Sequence, residues 1–284
     1  MSPQRIKSGG NPAIERVDMP ATEQDKNRLI TAYRVVQAGI LATLVWKISF
    51  FSYANAIYNT IEISDSFFPD LLRSPSILRV SFLGATAATL LNMLATSNAV
   101  RKGCCITVML GLSILCIHQG SYNDMTFVTA WWCATWSCWV SYRIDQDSHQ
   151  TLLQKSAFLA RAMISMIILG GAVGKWTGEY WSGQVLYDIY FVDRDFWLFN
   201  YLRDTYSEEE LKVIATWHSR NVVMIETAFG LFYWLLGNRV AAIAGIFILC
   251  SIAIFSNFLL FSVLSCLIAL SAVGYFASEP AERS

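Results

Sequence analysis

The sequence is dominated by a series of apolar stretches, each close to the length that a lipid bilayer requires. A membrane-spanning helix needs about 20 predominantly apolar residues. Lipid offers no partner to free backbone groups, so stretches of this kind must be helical. The chain therefore predicts an all-α, polytopic membrane bundle of about eight transmembrane helices. The predicted spans are 31–52, 79–98, 104–118, 125–142, 157–174, 217–236, 239–256 and 257–277.

The composition excludes several classes of protein. Hydrophobic residues make up 55% of the 284 residues and charged residues 15%, whereas soluble domains carry roughly 25% charged residues. A soluble enzyme and a disordered chain are therefore excluded. The net charge is +0, so the chain has no cationic surface for nucleic acid. The seven cysteines lie in or beside apolar runs without a C-x-x-C pair, which favours packing residues over disulfides or a redox site.

The distribution of polar residues predicts the domain organisation. Residues 1–28 form a flexible polar N-terminal tail, and 29–284 form a single transmembrane domain with an extramembrane segment at about 176–216. Basic residues are more frequent in the loops on the side of the tail than on the other side. The positive-inside rule then places both termini in the cytoplasm of a multi-pass protein of the plasma (inner) membrane.

The extramembrane segment is rich in aromatic residues and leads into a long helix. Its composition suits an element that lies on the bilayer surface or folds back over the bundle. Ser207 followed by Glu210 is a capping-box pattern. A helix that runs from there to Leu236 is about 43 Å long at 1.5 Å per residue.

The end of the fifth predicted span carries the most informative motif, Gly-Gly-Ala-Val-Gly-Lys-Trp at positions 170–176. A phosphate-binding loop is excluded, because Leu169 stands at the required glycine and Trp176 replaces the Ser or Thr. Two interpretations stay open. Gly170 and Gly174 form a G-x-x-x-G pair that lets helices approach closely. Alternatively, Lys175 is functional, because an amine in a dry pocket loses its charge more readily and can act as a base.

Glu226 is an acidic residue in the sixth predicted span. A carboxylate inside a membrane is costly, so it must be protonated, face water or meet a cation. Lys175, Arg220 and Arg34 are the candidate partners, and spacing alone does not choose among them. A functional role and a structural hydrogen bond are both open.

A short polar turn between the third and fourth spans contains His118, Asn123 and Asp124. The turn is either a solvated connection at the headgroups or part of the bundle mouth, on the same side as Lys175. The three histidines of the chain show no metal-ligand spacing, which predicts that no dedicated metal site is present.

The run from Gly170 to Gly183 resembles the signature of the horizontally transferred transmembrane (HTTM) domain, the membrane domain shared with vitamin K-dependent gamma-carboxylase. In that family a helix ends in Ala-Gly-x-x-Lys and a Trp and a Gly follow, and Lys175, Trp181 and Gly183 take these positions. Glu226 resembles the glutamate of a later family span. Asn123 and Asp124 are similar to a polar pair that opens the fourth span in bacterial members.

The resemblance implies a helix bundle with a pocket toward one face. By analogy, Lys175 would be the base that deprotonates a quinol-like or other lipid-soluble substrate, with Glu226 as its electrostatic partner. Trp181, Gly183, His118, Asn123 and Asp124 would line the binding site, and a quinol or vitamin K-like molecule would be the cofactor. DoxX-type proteins carry a similar Gly-x-x-Lys helix end, so the alternative is a non-enzymatic component that binds quinone or lipid, or an assembly partner, with Lys175 and Glu226 as a structural ion pair.

Overall fold

The computed structural model describes residues 21–49, 69–117, 125–255, 258 and 260–277, and every regular element among them is helical. Five longer helices cover the first part of this region: α1 (Ala21–Trp46), α2 (Pro75–Leu94), α3 (Asn98–Ile117), α4 (Thr126–Arg143) and α5 (His149–Val173). Short elements follow: α6 (Gly178–Trp181), α7 (Gln184–Tyr187), a π-helical segment (Asp188–Asp193) and α8 (Trp197–Thr205). Three helices complete the chain: α9 (Glu208–Phe232), α10 (Asn238–Phe255) and α11 (Phe261–Phe276).

Each of the eight predicted apolar stretches overlaps one of the longer helices. Five helices are long and apolar enough to cross a membrane: Glu23–Trp46 within α1, and α2, α3, α5 and α10. The prediction of an all-α chain with several membrane-spanning helices is thus confirmed, while the total of eight spans stays a prediction. The first helix begins at Ala21, so residues 21–28 of the predicted tail are helical. Residues 1–20 lie outside the described part.

The centre of the bundle is formed by α1 and α11. The 16-residue helix α11 contacts α1, α4, α5 and α10, while α1 also contacts α2, α4 and α5. Ten residues of α11 are buried, among them the small residues Ser262, Ser265, Ala269, Ser271 and Gly274. Small residues let neighbouring helices approach closely in membrane proteins, which suits the interior position of α11.

The segment between α5 and α9 folds back along α9. Both α6 and α7 contact α9, and Phe191 and Phe199 from this segment form a small hydrophobic cluster with Leu211 and Ala215 of α9. The predicted capping box at Ser207 is confirmed, with the Ser207 hydroxyl accepting from the Glu210 backbone and the Glu210 side chain accepting from the Ser207 backbone. The α-helix then runs for 25 residues, about 37 Å at 1.5 Å per residue, before a 3₁₀ turn from Tyr233 to Leu235.

Candidate functional site

The structure brings Lys175 and Glu226 into direct contact. The Lys175 Nζ donates to Glu226 Oε1 at 2.6 Å and to Oε2 at 2.5 Å. The two side chains are 27% and 22% exposed, respectively. Of the three cations that the sequence offered as partners, Lys175 is therefore the one that meets the glutamate, in a half-buried ion pair.

The pair depends on where α5 ends relative to α9. Gly174 caps α5, so Lys175 is the first residue beyond the cap and projects from the end of the helix. On the other side, Glu226 lies six residues before the last residue of α9, about 9 Å along the axis at 1.5 Å per residue. The end of one helix therefore meets the side of another, and the ion pair joins two elements that are 51 residues apart in the chain.

A close approach of α5 to α9 sets this geometry. A Cβ atom added to Gly230 would lie 2.8 Å from both the Cβ and the backbone N of Leu169. The interpretation that Gly170 and Gly174 mediate helix packing has no support within the described residues, because no described atom lies within 4 Å of a Cβ added to Gly170, and one added to Gly174 would meet only its own helix. The G-x-x-x-G pair lies on a face of α5 that carries no neighbouring helix in the described part of the chain.

The chain after Lys175 is held against α9 by backbone contacts. Gly183 has φ +82°, and a Cβ atom there would lie 2.5 Å from Thr216 Cα, so this position requires glycine. The Thr216 hydroxyl donates to the Ser182 carbonyl at 2.7 Å. Arg220 Nε donates to the Trp181 carbonyl at 3.1 Å, which directs this guanidinium to the backbone of the returning segment.

Four aromatic side chains lie in the neighbourhood of the ion pair. Trp176 donates from Nε1 to the Thr227 hydroxyl at 3.1 Å, one residue from Glu226, and its ring lies 5.1 Å from that of Trp181. Burial raises the pKa of Tyr180, and the negative charge of Glu226 raises it further. The pKa of Tyr190 is also raised, first by burial and partly by Glu226, against the opposing effect of Arg194. Both phenols therefore lie within electrostatic range of the carboxylate and are neutral hydrogen-bonding groups at physiological pH.

The structure describes some of the remaining predicted site residues but not others. Trp181 belongs to the aromatic wall beside Lys175, and Gly183 is accounted for by its backbone conformation and its approach to α9. Arg34 is an exposed residue of α1. His118, Asn123 and Asp124 lie outside the described residues, so their predicted place at the site stays a prediction. Among the described residues, no group of three or more His, Cys, Asp or Glu side chains could hold a metal ion.

The sequence interpretation missed a second polar cluster, which lies inside the bundle. The Tyr33 hydroxyl lies 3.0 Å from Asn92 Oδ1, 2.9 Å from Cys105 Sγ and 3.1 Å from the Ser141 hydroxyl. Asn92 in turn donates to Gln37 Oε1 at 3.0 Å. All seven cysteines are free thiols, but Cys105 is thus a hydrogen-bonding member of this cluster as well as a packing residue. The spacing of Tyr33 and Gln37, four residues apart on one helix face, was the available signal.

No family model, curated protein or solved structure matches this chain.

Proposed function

We propose that this chain is a membrane protein of the HTTM type in which Lys175 acts as a base on a quinol-like or other weakly acidic, lipid-soluble substrate. The observation that carries the proposal is the contact between Lys175 Nζ and both Glu226 oxygens, at 2.6 and 2.5 Å. In the proposed step the neutral Lys175 amine takes a proton from a substrate hydroxyl. Glu226 is its electrostatic partner and stabilises the ammonium group that forms.

The surroundings of the pair support a planar, apolar substrate. Trp176 and Trp181 present neighbouring rings at the end of α5, and aromatic rings favour offset or edge-to-face contacts with other rings. The Trp176 ring is fixed by its hydrogen bond to Thr227. Trp176 follows Lys175 in the chain, and its partner Thr227 follows Glu226, so the partly buried ion pair lies close to these rings. A substrate ring that bears a hydroxyl group would have both an apolar surface and a proton acceptor.

The test is quinol oxidation by the purified protein in lipid nanodiscs. A reduced naphthoquinol with a short isoprenoid tail is the probe, and oxygen uptake against its concentration is the measurement. We expect saturable uptake by the natural protein and a loss of about 10²–10⁴-fold on Lys175→Ala, the usual worth of general base catalysis. The matched control is Lys212→Ala, because Lys212 also pairs with a glutamate on α9, at 2.6 Å, but is exposed.

Undiminished turnover in a folded Lys175→Ala protein would overturn the proposal, as would an absence of quinol-dependent uptake in the natural protein. Far-UV circular dichroism distinguishes these results from misfolding, because every regular element of the described residues is helical.

A second candidate function rests on the same ion pair. A lysine and a glutamate that join the end of one helix to the side of another can stabilise a non-enzymatic component that binds quinone or lipid. This alternative is favoured if the naphthoquinol quenches the tryptophan fluorescence saturably but is not oxidised, and if the pair contributes to stability as described in the Discussion.

A further inference from the structure

An open groove runs between α4 and α5, on the opposite part of α5 from the Lys175–Glu226 pair. It has a volume of about 650 Å³, within the roughly 300–1,000 Å³ of ligand-binding pockets. Its walls are largely apolar. Its lining includes Thr135 and Trp139 of α4 and Lys155, Phe158, Leu159 and Met163 of α5.

The dimensions of the groove match one leaflet of a bilayer. From Lys155 to Met163 it follows α5 for eight residues, about 12 Å at 1.5 Å per residue. Half of the hydrocarbon core of a bilayer is about 15 Å thick. The helix α5 is long and apolar enough to cross the membrane. A groove of about 12 Å along its surface therefore has a suitable length for an acyl chain of one leaflet. Phe158 is 50% exposed, so the wall is open to the surrounding lipid.

One end of the groove carries an excess of positive charge. Arg143 donates to Asp147 from Nε at 3.2 Å and from Nη2 at 3.0 Å, and Lys155 Nζ lies 3.4 Å from the same carboxylate. Two cations thus share one anion. Lys155 makes the longer contact, is 48% exposed and has two further N–H donors, so it can bind a phosphate while Asp147 keeps its pair with Arg143.

Several neighbouring polar side chains have partners elsewhere. Arg161, whose guanidinium lies 5.9 Å from the centre of the Phe158 ring, donates to the Leu236 carbonyl. Gln154 donates to the Ala277 carbonyl at 2.6 Å and accepts from Asn238 at 2.5 Å. Lys102 pairs with Asp145 at 2.9 Å. The position of Trp139 beside this charged end is typical of the aromatic residues that mark a membrane–water interface. The groove therefore has an apolar floor, an aromatic residue near the interface and an available cation at its mouth.

We propose that this groove binds an anionic phospholipid, with one acyl chain along α4 and α5 and the headgroup phosphate on Lys155. An anionic headgroup complements the net positive charge of Arg143, Lys155 and Asp147, and the acyl chain covers the exposed wall. This proposal is independent of the function of the Lys175–Glu226 pair, because the groove is lined by other residues.

Native mass spectrometry of the detergent-purified protein tests the proposal. Phosphatidylglycerol and phosphatidylcholine with identical chains are the two probes, titrated separately. We expect the protein to retain one phosphatidylglycerol molecule and to bind phosphatidylcholine more weakly. Lys155→Gln should weaken the binding of phosphatidylglycerol about fivefold, the usual effect of one lysine at an anionic membrane surface. It should weaken the binding of phosphatidylcholine less, because the choline cation offsets the charge of its phosphate. Lys102→Gln, at the same end but away from the groove, is the matched control.

A second variant tests the apolar part of the groove. Leu159→Trp should narrow it and weaken retention of both lipids, whereas Leu94→Trp, at a leucine that is 77% exposed on α2, should not. If Leu159→Trp does not give a folded protein, Thr135→Trp narrows the groove from the other wall. Equal retention of the two lipids with no effect of Lys155→Gln would overturn the proposal, since the groove would then be solvated by any lipid. The proposal would also be overturned if millimolar inorganic phosphate displaced phosphatidylglycerol until both lipids were retained equally. The site would then bind free phosphate rather than a phospholipid.

Discussion

Removing the charges of Lys175 and Glu226, singly and together, is the sharpest structural test of the site. The perturbations are Lys175→Met, Glu226→Gln and the double variant, which form a double-mutant cycle. Each single variant leaves one charge without its partner at a half-buried position, while the double variant removes both. A cycle of this kind isolates the interaction between two residues from their separate effects on stability.

The magnitude follows from the exposure of the pair. Breaking a fully buried pair costs about 3–5 kcal/mol, whereas exposed pairs contribute about 0.2–1 kcal/mol. Lys175 and Glu226 are 27% and 22% exposed, which places them between these limits and nearer the buried one. After allowance for screening by solvent, we expect a coupling free energy of about 2 kcal/mol. The exchanged pair, Lys175→Glu with Glu226→Lys, should recover part of the loss because the opposite charges remain adjacent.

The assay is reversible unfolding in mixed micelles, with a denaturing detergent as the titrant and tryptophan emission as the signal. The exposed pair between Lys212 and Glu208, 53% and 69% exposed, supplies a parallel cycle on the same helix. We expect a much smaller coupling there. A coupling between Lys175 and Glu226 no larger than that of the exposed pair would refute the reasoning, because the contact would then contribute no more than a solvated surface pair.

Three further predictions concern the packing and caps that hold the site in place. Tyr33→Phe should lower the free energy of unfolding by about 1 kcal/mol, since it removes the hydroxyl that donates to Asn92 and accepts from Cys105, two interhelical hydrogen bonds worth about 0.6 kcal/mol each in membrane proteins; a loss below about 0.3 kcal/mol in the same micelle assay would contradict this. Gly230→Ala should destabilise by about 1–3 kcal/mol, because its methyl group would overlap the backbone at Leu169. Gly170→Ala, which meets nothing within 4 Å, should be neutral or slightly stabilising, and equal effects of the two would refute the packing assignment. The backbone and hydroxyl hydrogen bonds of Ser207 lower the pKa of Glu210, so the contribution of Glu210 to helix stability is complete above the unfolded pKa of about 4.3 and is lost as the pH falls through the lowered value. The protection factors of the amides at the start of α9, which correct for the slower intrinsic exchange in acid, should therefore fall as the pH falls, and Glu210→Gln should reduce this pH dependence.

Much of the fold could be predicted because it depends on local properties. The positions of the longer helices follow from runs of apolar residues, and the start of α9 follows from the capping box at Ser207. Hydropathy and caps act over a few residues, so a linear pattern contains them. The unsupported interpretation of Gly170 and Gly174 as packing residues has the opposite origin, since a G-x-x-x-G spacing does not say which face of a helix meets a neighbour.

The candidate site could be predicted only as a set of alternatives. The chemistry of Lys175 and Glu226 was visible, because a charged side chain in or beside an apolar stretch requires compensation. The pairing of Lys175 with Glu226 was not visible, since Arg220 or Arg34 could equally have supplied the cation that Glu226 requires. The structure resolves it by directing Arg220 to the Trp181 carbonyl and Arg34 outward.

The sequence by itself determined that this chain must be helical and buried in lipid, because its apolar runs and few charges leave no other way to satisfy the backbone. Only the tertiary structure decided which distant groups meet. The Lys175–Glu226 contact depends on how closely α5 approaches α9 at Gly230, and the Tyr33 cluster joins four helices. Such contacts are set by crossing angles and the packing of whole faces, which no local pattern in the chain contains.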